Sequence, residues 1–261
     1  MAVLAVMLCA SQVIAADALA EARRLYNLGQ YDAAAKYARE ALKVPATAES
    51  GRLVLGRIQL ELYRRSADNN DLDQAREALR AVSIAALEPG ERAELTIGIG
   101  ESLFLEGKYG IASESFERAL DISASLGLVA HERVLDWWAT SLDRLALTRP
   151  REAREPFYAR IIQRMERELL QDPMSAPAAY WLVAGLRGTG NLERAWFAAG
   201  AGWVNASLSR DRGAALRADL DRLVVQGIIP ERAVHLEPKD PKLATGIMLG
   251  EWEALKAAWS K

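Results

Sequence analysis

The stretch that decides the fold runs from Thr96 to Leu120, TIGIGESLFLEGKYGIASESFERAL. Thr96–Glu106 reads as a first helix that carries its own small contact residue at Ile99-Gly100, and Gly107 then offers the left-handed backbone that ends a helix. Tyr109 follows as an apolar plug for the turn. Ala112 sits where a second helix would pass closest to the first, and Phe116 and Ala119-Leu120 continue one face of that second helix at spacings of three and four. The segment therefore predicts an antiparallel helical hairpin.

Working outward, the same order recurs. Gly29-Gln30-Tyr31-Asp32-Ala33-Ala34 leads into Tyr37, Ala41 and Leu42, and Gly190-Asn191-Leu192-Glu193-Arg194-Ala195 leads into Ala199 and Gly202. Weaker copies stand at Asp71–Ala75 and at Pro150–Ala153. The marker alanines Ala34, Ala75, Ala112, Ala153 and Ala195 are 41, 37, 41 and 42 residues apart. Near-even spacing without sequence identity is the mark of a stacked repeat. Prolines fall mainly at segment edges, and no run of two-residue alternation competes with the helical pattern.

The set Ile99-Gly100, Leu103, Gly107, Tyr109, Ala112, Phe116 and Ala119-Leu120 resembles the tetratricopeptide repeat. The resemblance covers residues 17–232 and departs from the family in period, which is usually about 34 residues. Arg65–Asn70 and Ser123–Leu128 are the places where the extra residues would lengthen a turn and a link. It implies an all-α, right-handed superhelical solenoid of about five to six antiparallel hairpins. Residues 216–232 read as a last weak hairpin turning at Gly227–Pro230. Residues 233–261 read as a Pro-bounded linker and a C-terminal capping helix striped by Leu243, Ile247, Trp252, Leu255 and Trp259. The competing reading of that helix is a free amphipathic tail that docks on a partner.

Residues 1–16, MAVLAVMLCASQVIAA, are apolar, end in small residues and are short of the roughly 20 needed to span a bilayer. They read as a secretory signal peptide, which places the protein in the periplasm or outside the cell, with no integral span once the signal is removed. The alternative is an apolar first helix packed on the end of the array. Leu8 before Cys9 does not fit a lipidation box.

The chemical inventory points away from catalysis. The single cysteine, Cys9, lies in the apolar leader, and the two histidines, His131 and His235, stand about one hundred residues apart with no partner in sequence. Gly185, Gly188 and Gly190 are not followed by the Lys-Ser/Thr of a phosphate loop. Asp68–Asp73 fails as a calcium loop because Leu72 occupies an oxygen-ligand position. No metal and no cofactor is expected. With 33 basic against 35 acidic residues, the charge balance does not suit nucleic acid.

What remains is a non-enzymatic scaffold or adaptor that binds a protein or peptide partner. In the resembling repeats the first helices line a concave surface. Carried over by position, that surface offers Arg23 and Tyr26, then Leu53, Arg57 and Leu60. Ile97, Glu101 and Phe104 follow, then Asp136, Thr140 and Asp143, and finally Tyr180 and Arg187. A bland alternative is that Tyr26, Leu53 and Phe104 only pack between hairpins. A second functional reading is a glycan- or lipid-binding module built on Trp137, Trp138, Trp181, Trp196 and Trp203 of the fourth and fifth units. Adjacent Trp137 and Trp138 point about 100° apart, so equal burial is not expected of them.

Overall fold

The computed structural model describes residues 16–123, 126–208 and 213–259. The signal-peptide reading of residues 1–16 falls outside the described residues at all but its last position. Among the described residues the chain is all-α, with no strand. It divides into two compact units, Met1–Gly127 and Leu128–Lys261.

The first unit holds α1 (residues 16–27), α2 (Tyr31–Ala41), α3 (Ala48–Ser66), α4 (Asn69–Arg80), α5 (Pro89–Leu105) and α6 (Tyr109–Ser123). From α2 onward each helix packs on the next and α3 also packs on α5, while Ala22 and Leu25 of α1 share a core with α2 and α3, as expected of a helical repeat. Gly107 is the reason α5 stops: at φ +74° its N–H reaches the Phe104 carbonyl while the Lys108 N–H reaches that of Leu103. This crossed pair satisfies carbonyls that the helix end would otherwise leave open. Gly29 closes α1, and Gly190 closes the later helix Ala176–Gly188, with the same crossed bonds. The sequence triplet is thus a helix-stop motif repeated three times.

Close approach explains the other small residues. A Cβ on Gly100 of α5 would stand 2.8 Å from the Phe116 ring of α6, so the bare backbone makes room for a ring that is completely buried. Covering one such ring contributes about 2–3 kcal/mol. Ala34, Ala75, Ala112 and Ala195 are all fully buried. Ala153 is exposed in a 3₁₀ turn (Arg151–Ala153), which corrects its reading as a marker. Here Tyr158 makes the close contact, because a Cβ on Gly188 would meet its ring at 2.6 Å. Tyr37 also departs from expectation: it is exposed, and Ala38 takes the buried position.

The added residues of the second hairpin go into helix and not into turn. α3 runs 19 residues and ends on Ala67, a left-handed non-glycine residue at φ 55°, with Asp68 capping the Asn70 N–H at 3.0 Å. α5 begins earlier than its sequence signal, at Pro89, with Glu88 and Glu91 forming a reciprocal capping box.

The second unit holds α7 (Leu128–Leu147), α8 (Glu155–Gln171), α9 (Ala176–Gly188), α10 (Leu192–Ala206), α11 (Ala214–Leu223), α12 (Ile229–Leu236) and α13 (Pro241–Ala258). α9 packs on both α7 and α11. The expected last hairpin at 216–232 is corrected: α11 continues through a π-helical segment, Val224–Ile228, straight into α12. Pro230 has no N–H to give the ladder, and a widened turn absorbs the missing bond without reversing the chain.

α13 lays Met248 and Trp252 into a core made of α9 to α12. Trp252 is fully buried, meets Trp203 edge-on at 5.5 Å and Trp196 at a tilt at 5.8 Å, and donates its indole N–H to Asp221 at 2.8 Å. Lys256 reaches the same carboxylate at 2.7 Å. The helix is therefore docked, though not along the stripe read from sequence: Leu243, Ile247 and Trp259 are exposed. The register turns so that Trp252 fills the gap between two other tryptophans.

Candidate partner-binding face

The residues carried over as a binding surface belong to α1, α3 and α5 in the first unit and to α7 and α9 in the second. The two sets have different fates.

In the first unit the face is spent on itself. Arg23 pairs with Glu91, Arg57 meets Glu94 at 2.9 Å, and Arg64 meets Glu101 at 3.2 Å. The Arg57 guanidinium lies 4.9 Å from the centre of the Tyr26 ring. Leu53, Leu60, Ile97 and Glu101 are buried, so none of these four is available on a surface, which corrects their placement there. Tyr26 rests on Tyr31 at 5.5 Å and Phe104 on Tyr109 at 5.3 Å, each first-helix aromatic meeting the plug of its own turn. Burial pushes the Tyr26 hydroxyl up to about 12, with Glu101 and Glu61 acting in the same direction. Burial also works to raise Glu91, but hydrogen bonds from Ser50 and the Glu88 N–H, with Arg23, outweigh it and hold that carboxyl below its ordinary range. The whole arrangement is a ladder of arginine–glutamate pairs tying one first helix to another.

In the second unit the face is open. A groove of about 450 Å³ is lined by Glu132, Arg133 and Asp136 of α7, by Ala176, Pro177 and Tyr180 of α9, and by Ala215, Leu216 and Asp219 of α11. That volume lies within the range of small-ligand and side-chain pockets. Tyr180 is half-buried and edge-on to Trp181 at 5.3 Å. Burial raises its hydroxyl first, and Asp219, Asp143 and Asp136 raise it further, so three carboxylates share its surroundings. Asp136 is exposed and accepts the Trp181 indole N–H at 2.8 Å. Asp219 is 3.3 Å from Arg222.

No family model matches, nor does any curated protein or solved structure.

The remaining candidates serve the fold. Asp143 accepts the Tyr158 hydroxyl at 3.0 Å, and burial raises its carboxyl against the pull of that bond and of Arg144, Arg154 and Arg187. Arg187 closes on Glu231 at 2.5 Å, its guanidinium lying over the bare backbone of Gly227. Thr140 is half-buried on α7. His131 meets Glu168 at 2.9 Å, and Arg164 holds the other oxygen of that carboxylate at 2.7 Å. His235 lines a separate opening of about 650 Å³ with Glu152, Glu155, Arg187 and Glu231. Among the described residues no group of three or more His, Cys, Asp or Glu could hold a metal, and no helix is long and apolar enough to cross a membrane.

Of the five tryptophans read as a ligand-binding set, Trp138, Trp181 and Trp203 are buried in the core, and Trp137 and Trp196 are half-buried. Sequence reading missed Asp219, because the segment carrying it looked like a degraded hairpin with no face of its own. The signal was there as spacing: Asp136, Tyr180 and Asp219 fall 44 and 39 residues apart, close to the repeat interval.

Proposed function

We propose that the protein is a non-enzymatic scaffold that binds a partner protein or peptide along the face shared by α7, α9 and α11. The hairpins of each unit would follow one another in the right-handed sense of tetratricopeptide-like repeats, which brings first helices side by side. Residues 1–16 support export, so the partner would be met in the periplasm or outside the cell.

One observation carries this reading. Three successive first helices in the second unit each contribute a polar or aromatic side chain, Asp136, Tyr180 and Asp219, to one groove. The corresponding face of the first unit is filled by its own ion pairs. A half-buried tyrosine ringed by polar groups is the usual composition of an anchoring position in a protein interface.

A photoreactive phenylalanine analogue placed at position 180 and activated in the native cell tests the proposal. A discrete protein adduct is expected there, and none at position 37, where Tyr37 is exposed on α2 of the other unit. Equal or no labelling at the two positions would discard the face.

A further inference from the structure

The groove carries more negative than positive charge at its lining. Among the described residues its carboxylates are Glu132, Asp136 and Asp219, against the single base Arg133. Asp136 has no cation within ion-pair distance among the described residues; the indole N–H of Trp181 fixes its position and leaves its charge uncompensated. The Asp219–Arg222 pair is long and well exposed on both sides, so it is weak and easily exchanged. Tyr180 lines the same groove as the two aspartates, and its hydroxyl makes no hydrogen bond among the described residues.

Building on the binding face proposed above, we propose that this groove takes a cationic side chain of the partner, an arginine or lysine within a peptide segment. The charged head would lie with Asp136 and Asp219, and its aliphatic stem or guanidinium plane would lie against the Tyr180 ring. Three physical terms favour it together. A cation supplies the charge that Asp136 lacks. The ring adds a cation–π attraction that strengthens as the pair loses water. The Trp181 donor holds the carboxylate in place beforehand, so less ordering is lost on binding. An acidic segment would bring like charge to Asp136 and Asp219 and be repelled.

The test is isothermal titration of the full chain with hexa-arginine, hexa-glutamate and an uncharged glycine-serine hexapeptide, and with spermine. Each probe is run at low and at physiological salt. Hexa-arginine is expected to bind, more weakly as salt rises, and hexa-glutamate not to bind. The double substitution Asp136→Asn with Asp219→Asn should weaken hexa-arginine by about ten-fold or more. Glu251→Gln, an exposed carboxylate on α13, should change nothing. Circular dichroism of the double variant confirms that it remains folded. Hexa-arginine binding that ignores Asp136 and Asp219 overturns the proposal, as does failure of hexa-arginine to bind. Spermine binding as tightly as the peptide overturns the peptide assignment. Binding of the neutral or acidic peptide that is lost in Tyr180→Ala overturns the charge assignment and leaves the face itself standing. Loss of labelling at position 180 is what removes the face.

Discussion

Trp181 on α9 donates its indole N–H to Asp136 on α7 across 2.8 Å, so a core residue of one helix fixes a surface carboxylate of another. The bond explains why an exposed aspartate has a defined position. It also makes Trp181 a point where stability and the groove can be perturbed together.

Trp181→Phe keeps most of the buried ring and removes the donor. Hydrogen bonds to charged groups contribute about 1.5–3 kcal/mol. The charged partner here is exposed and regains water, so a loss of about 1–2 kcal/mol is expected from urea denaturation. Asp136→Asn, which keeps an acceptor oxygen, should cost less.

Gly100 and Gly107 lie seven residues apart and are glycine for different reasons, so their replacements separate. Gly107→Ala meets no atom within 4 Å and bears only the left-handed backbone cost, about 1 kcal/mol. Gly107→Asn should recover part of that. Gly100→Ala drives a methyl into the Phe116 ring and should cost about 1–3 kcal/mol. Phe116→Leu should soften the second loss and leave the first unchanged, as read from denaturation midpoints.

The fold was legible wherever a local rule acted alone. Gly29, Gly107 and Gly190 reveal helix stops because a left-handed residue needs glycine whatever surrounds it. The helix boundary at Pro89 and the continuous passage through Pro230 were less visible, since neighbouring packing decides whether a proline starts a helix or bends one. The site was half legible. First-helix positions were recognisable, but sequence spacing does not show that Arg23, Arg57 and Glu101 find partners inside their own unit. Nor does it show that Asp219 stands beside Tyr180. Those facts depend on side chains that meet across 37 to 68 residues of chain.

Acid should unfold the protein through its glutamates. Glu91 and Glu168 are held below their ordinary range despite burial, by the hydrogen bonds and cations around them. A carboxyl lowered in the folded state contributes stability above its unfolded value, and that contribution is lost as pH falls through the folded value. The melting temperature should therefore vary little between pH 7 and 5 and fall below about pH 4.5. Glu91→Gln should lower stability at pH 7 and flatten that fall.

Asp143 runs the other way. Burial raises its carboxyl, so the charged form weakens the fold at neutral pH, and the penalty fades as pH falls through the folded value and is gone below the unfolded one. Asp143→Asn keeps an acceptor for Tyr158 and should be neutral to stabilising at pH 7. The difference from the parent should shrink as pH falls and be lost below the ordinary aspartate value of about 3.9, as read in paired thermal melts.

The π-helical passage at Val224–Ile228 has a consequence for insertions and deletions. A π turn holds about one residue more than an α turn. Deleting one residue there, such as Gln226, would return the helix to ordinary winding with its two flanks still in phase, whereas the same deletion in an ordinary turn of α12 would rotate everything downstream by about 100° around the axis. The first variant should keep Glu231 opposite Arg187 and Ala233 in the core, at the cost of setting Pro230 in a regular helix interior. The wide turn thus acts as slack: it swallows a single amino acid of length and spares the C-terminal thirty residues a change of face.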